Sequence, residues 1–95
     1  MTSDLQRFLD DPAWRAVLGE CLRQADIDRS IGARDGSFAG KYVLSGVPRE
    51  HRPPNLQPLL RAGILVKLPK ERQSRANTYY ALADEEGLRP LLADA

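Results

Sequence analysis

The chain has 95 residues, 42% of them apolar and 28% charged, with a formal net charge of +1. That length fits one domain with a small core, and the apolar fraction argues against a disordered chain. No apolar stretch approaches the ~18 residues that span a bilayer, no segment resembles a signal peptide, and the lone Cys21 has no partner for an internal disulfide, so a cytoplasmic protein is expected.

Ser3 is placed to cap a short first helix that puts Leu5, Phe8 and Leu9 on one side, within an N-terminal extension over 1–10. Asp11-Pro12 restarts the chain, since Asp caps helices well and Pro is tolerated at the first helical position. Trp14, Val17, Leu18, Cys21 and Leu22 then recur at helical spacing and predict an amphipathic helix over about 12–25. Cys21 lies on this apolar stripe and reads as a small core residue.

Residues 26–36 carry two glycines and three aspartates and read as a loop, with Ile27 and Ile31 tucked inward. Ser37 is a candidate N-cap for a helix over about 38–45 that turns Phe38, Tyr42 and Val43 or Leu44 to the core. Gly46 suits a left-handed helix end. After a proline-rich turn, Asn55 is placed to cap a helix of about two turns, with Pro58 at its third position and Leu56, Leu59 and Leu60 before Gly63.

Ile64–Leu68 is an apolar strand stopped by Pro69, and Asn77–Leu82 is a second strand favoured by Thr78, Tyr79 and Tyr80. The linker between them lacks glycine and is rich in basic residues, which predicts an exposed hairpin tip rather than a tight turn. From Asp84 a last helix is expected over 84–93, with Leu88, Leu91 and Leu92 inward and acids at its N-terminal end.

Charge is distributed unevenly. Residues 49–80 hold seven Lys or Arg against two acids, whereas residues 1–48 sum to −1 and 81–95 to −3. A helix and a hairpin sharing one positive surface suit a polyanion, because cations that neutralise phosphates release condensed counterions.

The order helix, helix, turn, helix, strand, basic loop, strand, helix resembles the winged helix-turn-helix domain of bacterial transcription regulators. Gly46, Leu56, the step Leu59 to Ala62-Gly63-Ile64-Leu65 and the strand Tyr79-Tyr80-Ala81-Leu82 carry the resemblance, which covers about residues 12–93. It implies a small α+β fold with a three-helix core, a helix-turn-helix over 38–62, a two-stranded wing over 64–83 and additional terminal helices. It also implies a recognition helix whose first residues, His51, Arg52, Asn55 and Gln57, approach base edges in the major groove. Wing residues Lys70, Arg72, Gln73 and Arg75 would reach phosphates or the minor groove, with Arg49, Arg61 and Lys67 completing the DNA-binding set. The family's apolar and polar positions near 52–54 are here Arg52-Pro53-Pro54. Prolines bring no donors and delay the helix start, so phosphate contact is the expected mode rather than base reading.

With one histidine, one cysteine, no Gly-rich phosphate loop and no metal-ligand cluster, neither catalysis nor a cofactor is expected, and no small-molecule ligand is evident. The expected partner is double-stranded DNA, bound by a homodimer built on the N-terminal helix or on the stripe over 12–25. The alternative is the same fold used as an adaptor that grips an acidic protein partner.

Overall fold

The computed structural model describes residues 4–32, 36–69 and 77–93. They form a small α+β domain. In chain order these are α1 (Asp4–Leu9), α2 (Pro12–Gly32), β1 (Phe38–Ala39), α3 (Gly40–Gly46), a 3-10 turn (Arg49–His51), α4 (Gln57–Arg61), β2 (Leu65–Lys67), β3 (Tyr79–Leu82) and α5 (Glu85–Ala93).

α2 organises the molecule and begins where the Asp-Pro step predicts. Asp11 Oδ1 accepts the Ala13 N–H at 2.9 Å, satisfying one of the donors a helix start leaves open. Val17, Leu18, Cys21, Leu22 and Ala25 are buried along one side of α2, which packs against α1, α3, β1, β3 and α5. Phe8 meets Trp14 edge to face, with ring centroids 5.3 Å apart, and so closes α1 onto α2. Burial raises the Cys21 thiol to about 12, assisted by neighbouring Glu20, which leaves it an inert core side chain.

The expected loop over 26–36 is overturned: α2 continues to Gly32. Tertiary ion pairs replace what helix propensity withholds. Arg29 pairs with Glu85 at 2.5 Å and Asp26 with Arg89 at 2.6 Å, so the last two turns of α2 are held by α5. Ile27 and Ile31 consequently project outward instead of tucking in.

The next segment also departs from expectation. Phe38–Ala39 is a strand, and Ser37 does not cap α3, whose N-cap is Ala39 in an extended conformation with no side-chain bond. β1 pairs antiparallel with β3 in the register Phe38 to Tyr80 and Ala39 to Tyr79, and the Gly40 N–H reaches Thr78 O at 3.0 Å. The hairpin is therefore part of a three-stranded sheet, ordered β1-β3-β2. Val43 points to the core but Tyr42 does not; it is half exposed. Gly46 is an ordinary last helical residue rather than a left-handed cap, and extended Val47 follows it.

Asn55 sits one residue too early to be the helix cap. Its Oδ1 accepts the Gln57 N–H at 2.9 Å, Leu56 occupies the cap position, and Pro58 stands at the second helical position rather than the third. α4 is thus five residues long, shorter than the expected two turns. Its end is built as the sequence suggests: Gly63 has φ +76°, the Gly63 N–H bonds Leu60 O, and the Ile64 N–H bonds Leu59 O at 3.0 Å. These two bonds satisfy carbonyls that a helix end leaves unpaired and aim the chain into β2.

β2 and β3 pair with Leu65 opposite Leu82 and Lys67 opposite Tyr80. Leu65 is buried, whereas Val66 and Lys67 are exposed. Asp84 caps α5 through the Gly87 N–H at 3.0 Å. Leu88 is buried and Leu92 packs on the core, but Leu91, expected inward, is exposed. The core joins Leu9 of α1 and the α2 stripe to Phe38, Val43, Val47, Leu56, Leu59, Leu65 and Leu88.

Candidate nucleic-acid interface

The cations of the middle third stand on short, well-anchored elements. Arg49 and His51 lie on the 3-10 turn, which closes by the His51 N–H to Pro48 O at 2.9 Å. Arg49 is exposed and His51 half-buried, and among the described residues neither side chain has an acidic partner. Arg52 has a structural bond: its Nη2 donates to Val47 O at 3.1 Å and to Ser45 O at 3.5 Å, tying the turn to the end of α3. A cation beside terminal helix carbonyls is favoured by the dipole and supplies their missing donor. The Arg52 guanidinium remains exposed at its outer edge.

Asn55 and Gln57 are exposed at the start of α4, Asn55 with its Oδ1 already engaged by the Gln57 backbone. Arg61 is exposed at the last position of α4, while Leu59, two residues earlier, anchors that helix in the core. Lys67 is exposed at the end of β2, opposite Tyr80 of β3. The other four expected contacts, Lys70, Arg72, Gln73 and Arg75, lie outside the described residues.

A groove of about 300 Å³ runs between the start of α3, the Pro54-Asn55-Leu56 turn and the first residues of β3. Lys41 lines it, with its Nζ 5.5 Å from the Tyr42 ring centroid. Sequence reasoning left Lys41 out of the site; its one signal was a lysine in the first turn of an expected helix.

The acids are disposed differently. The ion pairs among the described residues are Arg23–Glu20, Arg29–Glu85, Arg89–Asp26 and Arg89–Glu85, all on α2 and α5. Hydrogen bonding from Arg89 holds the Asp26 carboxyl below its usual range, and those bonds to Asp26 and Glu85 raise the Arg89 guanidinium further. Asp84 is engaged by the α5 backbone. Glu85 of the acidic tail therefore answers to α2 and α5, and no described ion pair joins the tail to Arg49, Arg52, Arg61 or Lys67.

No group of three or more potential metal ligands occurs among the described residues, and none of their helices is long and apolar enough to cross a membrane. Comparison of the chain with protein-family models, with curated proteins and with solved structures finds no match.

Proposed function

We propose that this protein binds duplex DNA as a winged helix-turn-helix module, probing it with the 3-10 turn and α4 and gripping phosphates with the basic hairpin, most simply as a transcriptional regulator. The observation that carries this reading is the separation of charge: Arg49, Arg61 and Lys67 are exposed without an acidic partner among the described residues, while Glu85 is taken up by α2 and α5. The connectivity supports it too. A helix, a short strand, two further helices and a hairpin follow in order, and the short strand β1 lies against the return strand β3.

Phosphate contact fits the geometry better than base reading. α4 is only five residues long and is preceded by Pro53 and Pro54, so few donors reach a groove floor from its start. Phosphate contacts position a protein and carry the salt dependence of affinity.

The test is fluorescence anisotropy with random-sequence duplex DNA over a range of salt. Wild-type protein is expected to bind at low salt, and Arg72→Ala with Arg75→Ala to weaken binding and flatten the log–log salt slope by about two. An unchanged slope in the double variant overturns the assignment of the wing. The short α4 and its two prolines favour one second reading, an adaptor for an acidic protein. A wild-type chain that fails to bind random duplex at low salt selects it.

A further inference from the structure

We infer that the groove between α3, the Pro54-Asn55-Leu56 turn and the start of β3 seats a phosphodiester group of a nucleic-acid backbone, held by Lys41, the Asn55 amide and the hydroxyls of Thr78 and Tyr80. That a duplex supplies this phosphate rests on the nucleic-acid reading above. The seat brings in Lys41, Thr78 and Tyr80 as new contacts, and it gives Asn55 a different ligand from the expected base edge.

Charge singles this groove out. Three other depressions on the described surface each carry a carboxylate on the wall, Asp84, Asp11 and Asp28 respectively. The groove beside Lys41 is lined by no acid. Lys41 is exposed, its Nζ 5.5 Å from the Tyr42 ring centroid, and no described ion pair involves it. Its flexible stem lets the ammonium swing to the groove mouth. Thr78 and Tyr80, two residues apart on the chain entering β3, bring hydroxyls to the same side. Donors thus converge from three stretches of chain that are far apart in sequence.

Asn55 decides what kind of ligand these donors suit. Its Oδ1 already accepts the Gln57 N–H at 2.9 Å, so the side chain is held in place and only its amide hydrogens remain to be used. Reading an adenine takes both the oxygen and the nitrogen of an Asn side chain. A phosphate oxygen asks only for a donor, and Lys41 likewise can only donate.

Gly40 keeps the seat open. A Cβ there would stand 2.8 Å from the Tyr80 ring and 3.4 Å from Leu56, so a bare backbone is what lets the ring lie against the start of α3. The resulting space of about 300 Å³ is at the lower end of the range for ligand clefts and admits a phosphate with part of its sugar.

Fluorescence anisotropy with random-sequence duplex, combined with heteronuclear NMR of the Asn55 side-chain amide, tests the seat. Lys41→Ala is expected to lower the log–log salt slope by about one, whereas Arg23→Ala, which removes one charge from α2, leaves it unchanged. Asn55→Asp keeps an oxygen for the Gln57 N–H but puts a negative charge where the donor stood, and is expected to weaken duplex binding at least about tenfold. Thr78→Val, which keeps the shape and removes the hydroxyl, is expected to weaken it about threefold. Unchanged melting temperatures verify that the variants fold. In the wild-type chain the Asn55 amide signal is expected to shift and saturate together with the anisotropy. If wild type binds duplex while Lys41→Ala and Asn55→Asp bind equally well and the Asn55 signal stays still, the seat is overturned and the nucleic-acid reading stands. If wild type fails to bind duplex at low salt, both fall. Saturation of the Asn55 signal by micromolar inorganic phosphate would make this a free-anion site and overturn the placement of the backbone in it.

Discussion

Gly19 and Gly63 have the same free space around them and opposite reasons to be glycine. A Cβ on either meets nothing within 4 Å, so packing does not distinguish them. Gly19 lies inside α2 with ordinary helical backbone, where glycine costs about 1 kcal/mol relative to alanine through its extra freedom in the unfolded chain. Gly63 holds φ +76°, which a side chain resists by about 1–2 kcal/mol. Gly19→Ala should therefore raise the melting temperature, and Gly63→Ala should lower it by several degrees. Equal shifts of the same sign, read by thermal denaturation, would contradict the assignment of Gly63 as the residue that turns α4 into β2.

Elements whose causes are local were legible in the chain. Asp11-Pro12 opens α2, Ala62-Gly63 closes α4, and the Leu65 and Tyr79 strands pair as their composition suggests, because a cap, a left-handed glycine or a branched run acts within a few residues. Elements sustained by distant partners were not. The last two turns of α2 rest on Glu85 and Arg89, 56 and 63 residues away, and β1 exists because β3 supplies its ladder. Once β1 takes residues 38 and 39, α3 starts later, and Tyr42 turns out of the core. The candidate site shows in the chain only as a charged segment, while the diversion of Arg52 to the carbonyls of α3 and the placement of Lys41 depend on the folded backbone. The α2–α5 clasp has a pH signature of its own. The Asp26 carboxyl is depressed in the folded chain, so its stabilisation is present above its ordinary value of 3.8 and is lost as pH falls through the lower folded value. Both partners are exposed, so the contribution is modest and screened by salt. Asp26→Asn should melt below wild type at neutral pH, and the two curves should converge well below pH 3.8. A gap that persists in acid would mean that the carboxylate charge is not what holds α5 to α2.

At the scale of the molecule, the near-neutral total conceals a division of labour between cations. Arg23, Arg29 and Arg89 pair with acids on α2 and α5, and these pairs carry no surplus charge to offer a polyanion. Arg49, Arg61 and Lys67 are exposed without such partners among the described residues, so under the proposed DNA-binding role each would displace a counterion. A cation already matched to a neighbouring carboxylate gains less from a phosphate, because the carboxylate must be left behind or brought along. Alanine substitution should sort the arginines accordingly. Arg61→Ala is expected to reduce the log–log salt slope of duplex binding by about one, and Arg23→Ala to leave it unchanged. Both residues are exposed arginines on helices, which makes Arg23→Ala a control for any general loss of positive charge. If both variants lowered the slope equally, binding would follow net charge rather than the surface built by the turn, α4 and the hairpin, and the interface would have to be placed elsewhere.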